Sequence, residues 1–187
     1  MTGEMMSPIK WSLAPELIVS DWINTLTPVS LKELQGQVVI LHAFQTLCPG
    51  CVSHGIPQAQ LLHSFYANKP VQVIGLHSVF EHHQAMNKNA LKAFAYEYKL
   101  EFPIAIDQAS KNQTTPLTMQ KYQLRGTPSL VIIDPKGRIR LNHFGQISDL
   151  HLGNIIGSLI AEQSLLKMNT TNNISLTDKC DDNGCSN

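Results

Sequence analysis

The chain has 187 residues, with 14 Lys and Arg balancing 14 Asp and Glu. That length is near one domain and disfavours an enzyme with separate cofactor and substrate halves, and the missing basic excess disfavours a nucleic-acid partner. Apolar residues make up 43% and charged ones 15%, enough for one sizeable core and too apolar for a disordered chain, yet no apolar run reaches the roughly 18 residues of a membrane span.

Met1 to Trp11 carries Glu4, Pro8 and Lys10 and lacks the apolar stretch and cleavage site of a signal peptide. Residues 1–11 therefore read as an extension to a domain over 12–166, and the expected compartment is the cytoplasm, or the periplasm had a leader been removed. Val38 to Phe44 is a β-rich run with little polar alternation, as in a central strand buried on both faces. From Pro49 to about Asn68 apolar residues recur at helical spacing through Val52, Ile56, Ala59, Leu62, Phe65 and Tyr66, with Pro57 as an expected kink. Val71 to His77 reads as a second buried strand, Asn87 to Lys99 as a helix and Phe102 to Ile106 as a strand. A short helix over Pro116 to Tyr122 leads into the strand Ser129 to Ile133. A turn at Asp134 to Gly137 then returns Arg138 to Phe144 as a hairpin arm. The last helix is expected over Asp149 to Leu166, followed by a polar, mobile tail over 167–187. Strands alternating with helices predict an α/β/α sandwich.

Four cysteines fall in two close pairs, Cys48 with Cys51 and Cys180 with Cys185. Two thiols at C-x-x-C spacing that open a helix can close a disulfide within one turn, while free amides and the helix dipole favour a thiolate on the first. Cys48 is thus the expected nucleophile and Cys51 the resolving thiol. Pro49 suits the first helical position. The same spacing could form half of a zinc site, with His54 as a third ligand, but the second half would have to come from the polar tail. Gly126-Thr127-Pro128 adds a second signal. Thr before Pro at a strand start fits a cis peptide, and next to Cys48 the Thr127 backbone could align an extended substrate.

Several stretches together resemble the thioredoxin superfamily, in its TlpA/ResA-like, AhpC/TSA-related branch. They are Ser30 to Gly36, Cys48-Pro49-Gly50-Cys51, Val73 to Ser78, Gly126-Thr127-Pro128, and Ile132-Ile133-Asp134 with Gly137. The resemblance covers roughly Ser12 to Leu166. It implies a thioredoxin-like three-layer α/β/α sandwich with a mixed central sheet, thiol-disulfide exchange without a cofactor or metal, and Thr127 and Pro128 as substrate-binding residues. Phe44 takes the family's aromatic position, and His42 stands where the family has an acidic or Asn residue, which implies a proton acceptor behind Cys51. Glu81 is the other candidate, because reductases of the ResA type place a Glu after the corresponding strand. His82 and His83 beside it, like Arg125, read as solvated.

The expected partners are a disulfide-containing protein or small disulfide and a reducing thiol, with reduction the favoured direction in a cytoplasm. The runner-up is a peroxiredoxin-like thiol peroxidase with antioxidant activity. Against it, the positions for that family's Pro and Thr hold Leu41 and Gln45, and Thr46 is one place out of register. A metal carrier using Cys48, Cys51 and His54 or His143 ranks third. Cys180 and Cys185 form a second pair, read as a tethered disulfide that Cys48 and Cys51 could reduce to pass electrons outward, as a passive tail disulfide, or as a weak metal site with the neighbouring aspartates.

Overall fold

The computed structural model describes residues 11–177, with side chains described through residue 165. Strands β1 (Val19–Ile23), β2 (Val38–Phe44), β3 (Val71–His77), β4 (Ile104–Asp107), β5 (Ser129–Ile133) and β6 (Ile139–Phe144) form one sheet in the order β1-β4-β3-β2-β5-β6. β2 pairs parallel with β3, and β3 with β4, whereas β1, β5 and β6 pair antiparallel. The expected mixed sheet is present. Helices α1 (Ile56–Phe65), α2 (Lys88–Glu97), α3 (Leu117–Lys121) and α4 (Asp149–Thr177) supply the outer layers.

β2 is buried at every residue because both faces of the sheet are covered. Its alternation divides the core. Val38, Ile40 and Phe44 face one layer, with Ile56, Ala59 and Leu62 of α1, Leu91 of α2, and Leu152, Ile156 and Leu159 of α4. Val39, Leu41 and Ala43 face the other, with Met119, Tyr122 and partly buried residues such as Trp22 and Leu34. Asp107, at the end of β4, accepts the amides of Thr118 and Met119 at 2.8 and 3.0 Å and the Ser78 hydroxyl at 2.9 Å, tying α3 to the sheet.

Three strands read from sequence have the expected ends; the other elements differ for local reasons. β4 starts at Ile104, after Pro103, which has no N–H for the ladder. α2 starts one residue late because the Asn87 side chain caps it, accepting from Asn89 N and Ala90 N. The edge strand β1 went unread in sequence, since its five residues include Ser20 and Asp21 and its register shifts between Val19 and Asp21. α4 does not stop at Leu166 but continues to Thr177. Asn and Thr are only mildly unfavourable in a helix, and no Gly or Pro breaks residues 167–177. That stretch is therefore helical rather than the irregular tail expected, while Cys180 and Cys185 lie outside the described residues.

The helix after β2 is also different in kind. Cys51–Gly55 is a π-helical turn closed by the Ile56 amide on the Cys51 carbonyl, and the regular α1 begins only at Ile56. Pro57 consequently follows the π-turn directly, near the start of the regular α1, in a stretch that is helical from Pro49 to Phe65.

Candidate active site

The parallel pairing brings the carboxyl ends of β2 and β3 together. Phe44 is in register with His77, and the Ser78 amide donates to the Phe44 carbonyl at 3.1 Å. In an α/β sheet this edge is where sites are built. Cys48 and Glu81 each follow their strand by four residues, so both loops leave from that edge. β5 enters antiparallel beside β2, with Ser129 opposite Ala43, which puts Thr127 and Pro128 at the same place.

Cys48 immediately precedes the helical turn opened by Pro49. Cys48 and Cys51 are disulfide-bonded, with Cα atoms 5.2 Å apart. Their environments differ: Cys48 is half-buried and Cys51 has no exposed surface. The Cys51 amide points at Cys48 Sγ over 3.2 Å, and the same sulfur lies 3.5 Å from the Thr127 carbonyl oxygen. An amide aimed at a sulfur at a helix start stabilises negative charge there. The two sulfurs thus differ both in burial and in the backbone groups that face them.

The Thr127–Pro128 peptide is cis. Pro128 packs against the turn between the cysteines: a Cβ added to Gly50 would lie 3.4 Å from its Cδ. Behind Thr127 lies Gln45, a buried side chain that reading the sequence considered only as an obstacle to peroxide chemistry. Its Nε2 is 3.4 Å from Thr127 Oγ1, and its Oε1 has no partner among the described residues. The residue linking the two active loops is therefore buried, which neither spacing nor composition signalled.

His42 is buried on the sheet face that also carries Cys51. Its ring packs under Gly55, one turn past Cys51, so closely that a Cβ there would meet Cε1 at 2.6 Å and Nε2 at 3.1 Å. Nδ1 has no partner among the described residues. Desolvation pushes the ring down to about 4, away from the near-neutral value expected of an unperturbed histidine. His77 is likewise buried with Nε2 unpartnered, and burial holds it at about 4 beside the Phe44 ring. The sequence offered no sign of this second neutral imidazole, because it occupies the last position of an apolar strand.

Glu81 is exposed and makes no side-chain hydrogen bond or ion pair among the described residues; His82 and His83 are exposed beside it. Arg125 is exposed and stacks its guanidinium 5.4 Å from the Phe144 ring centroid. Among the described residues no three His, Cys, Asp or Glu side chains gather as a metal site. His54 contacts the Ser53 hydroxyl and His143 the Gln146 carbonyl. Nor is any described helix long and apolar enough to cross a membrane.

A mixed sheet between helical layers, with a C-x-x-C disulfide at a helix start facing a cis-proline loop, defines a thioredoxin-like protein with a redox-active cysteine pair. The chain belongs to the Redoxin family, whose model matches residues 12–151. By sequence it is similar to human NHL repeat-containing protein 2, 27% identical over 128 residues. It also resembles the thiol-disulfide oxidoreductase ResA of Bacillus cereus, 29% identical over 126 residues. Each alignment covers 67% of this chain, but it covers only 16% of the human relative and 64% of ResA. Among solved structures it resembles the thioredoxin-like superfamily protein SPOA0173, 49% identical with a TM-score of 0.77. A thiol-disulfide isomerase from Corynebacterium glutamicum is 50% identical with a TM-score of 0.75. Both superpositions cover 79% of this chain and 96% of the other.

Proposed function

We propose that this protein is a thiol-disulfide oxidoreductase that reduces disulfides through Cys48 and Cys51. The observation that carries the reading is the asymmetry of the pair: a half-buried Cys48 whose sulfur receives an amide, and a fully buried Cys51 bonded to it. In the reduced protein the Cys48 thiolate attacks one sulfur of a substrate disulfide, forms a mixed disulfide and expels the other sulfur as a thiolate. Cys51 then loses its proton and attacks Cys48, which closes the intramolecular disulfide and releases the second substrate thiolate. Two electrons pass to the substrate, and a partner dithiol, or two thiols in succession, returns them and leaves as a disulfide. Thr127 and Pro128 line the approach to Cys48 and orient the substrate segment.

His42 is proposed to take the Cys51 proton. Desolvation holds that ring at about 4, so it takes the proton only transiently and passes it on. Glu81, exposed at the same sheet edge, is proposed to exchange protons with solvent near the leaving thiolates. A reducing direction fits the expected cytoplasmic setting; peroxide-directed, antioxidant chemistry has no supporting contact at Gln45 or Thr46.

The test is catalysed reduction of a model protein disulfide. Cys48→Ser is expected to abolish it, and Cys51→Ser to accumulate a mixed disulfide at Cys48 visible by mass spectrometry. Full activity in Cys48→Ser would overturn the reading.

A further inference from the structure

A pocket of about 440 Å³ opens on the far side of Pro128 from the cysteines, between the π-turn, the start of α1 and the segment Gly145–Asp149. Neither cysteine lines it. We propose that this pocket is a side-chain subsite for a protein substrate, receiving a neutral residue with an apolar body and a hydrogen-bonding tip, best met by tyrosine, within two residues of the substrate's reactive cysteine. The inference rests on the disulfide-exchange reading of Cys48 and Cys51.

Position comes first. Pro128 packs beside the turn at Gly50 and also lines the pocket, so it borders both the cysteine turn and the cavity. An extended chain advances about 3.3–3.6 Å per residue. A substrate held at Cys48 and running over Pro128 therefore presents its first or second neighbouring side chain above the opening. The volume lies in the range of functional pockets and is ample for a large side chain.

Chemistry narrows the occupant. Pro57, Leu61, Pro128, Leu130 and Ile147 provide apolar walls, and Leu61 remains half exposed although no described segment covers it. No Lys or Arg lines the cavity, Asp149 on its wall accepts from Gln58 Nε2 at 2.7 Å and would repel a second carboxylate, and the lining imidazole of His54 is engaged by the Ser53 hydroxyl at 2.7 Å, so the site favours a neutral side chain over an acidic one. Gln58 also occupies the Ile147 carbonyl at 2.9 Å. The deep polar group left without a described partner is His42, which lines the cavity and whose Nδ1 is buried with no partner among the described residues. A buried tyrosine hydroxyl needs such a partner, whereas phenylalanine would leave the ring as it is. The missing Cβ of Gly55 lets the ring pack against the π-turn at the edge of the cavity.

The experiment uses the reduced, full-length protein and cysteine peptides disulfide-linked to a chromogenic thiol, with Tyr, Phe, Ala or Glu placed at each of the four flanking positions in turn. At one position kcat/KM is expected to be about tenfold or more higher for Tyr than for Ala. Phe should fall about threefold to tenfold below Tyr, and Glu at or below Ala. Gln146→Trp, at the exposed rim, should bring the Tyr-to-Ala ratio near one, with thermal unfolding confirming that the variant is folded. Independently of turnover, the Tyr peptide with its cysteine replaced by serine should shift the His42 ring ¹⁵N resonances, and the Ala peptide should not. Equal rates across the series with no ring shift would overturn the subsite. So would a chromogenic disulfide lacking any peptide that reacts as fast as the Tyr peptide, since the cavity would then serve small disulfides. If no probe is reduced, the exchange reading fails and takes the subsite with it; the ring shift separates that outcome from a failure of the pocket alone.

Discussion

Two imidazoles buried without charge should make this protein acid-labile in a calculable way. His42 and His77 are each held near 4 by desolvation, and each would titrate near 6.5 once unfolded. A depressed folded value means that the unfolded chain binds more protons, so the stabilisation is intact above about 6.5 and is lost as pH falls towards 4. At pH 5 each ring costs about 2 kcal/mol and the two together about 4 kcal/mol, a large share of a typical 5–15 kcal/mol. Near pH 5.5 the slope from the pair is about 2.4 kcal/mol per pH unit. Asp107 acts in the opposite sense, because burial raises its carboxyl and the folded state protonates first. It is common to all variants, so the comparison isolates the histidines. Urea unfolding of the oxidised protein between pH 7 and pH 5 measures the slope, and His77→Leu should roughly halve the histidine contribution whatever it does to absolute stability. A flat wild-type profile, or an unchanged slope in His77→Leu, would refute the reasoning.

Gly55→Ala should destabilise the fold by about 1–3 kcal/mol, read by urea unfolding, because its Cβ would overlap the His42 ring and lie 3.2 Å from Pro128 Cβ. It should also slow release of substrate from the mixed disulfide, followed by stopped-flow. Asp107→Ala strands the amides of Thr118 and Met119 and the Ser78 hydroxyl, and should cost about 1–3 kcal/mol or more by the same method, without altering the potential of the cysteine pair. That potential, measured by equilibration with a dithiol buffer, should lie near the roughly −270 mV of a thioredoxin; a value near −120 mV would mark an oxidant and reverse the direction of flow.

What could be read from sequence follows the strength of each local signal. β2, β3 and β5 were legible to the residue because short, mainly apolar, β-branched runs are best satisfied inside a two-faced sheet. Cys48 and Cys51 were legible because their chemistry depends on spacing along one helical turn. β1 was not, since edge strands need little apolar content and its pairing partner, β4, lies some eighty residues away. Nor was the π-turn: the apolar period through Val52, Ile56 and Ala59 is compatible with a continuous helix, and only packing of Gly55 on His42 distinguishes the wider turn. The burial of Gln45 and His77 depends on contacts between loops and strands far apart in the chain. The pocket beside Pro128 is likewise a product of tertiary assembly, drawing on β2, α1, β5 and the segment before α4.

The central claim is that Cys48, and not Cys51, is the reactive sulfur. Alkylation of the native reduced protein over a pH series, with each cysteine followed by peptide mass mapping, tests it most directly. The account predicts that native Cys48 is labelled faster than the same cysteine in the unfolded chain near neutral pH, and that Cys51 is protected until the protein unfolds. Labelling of Cys51 first, or a native Cys48 no faster than in the unfolded chain, would contradict it.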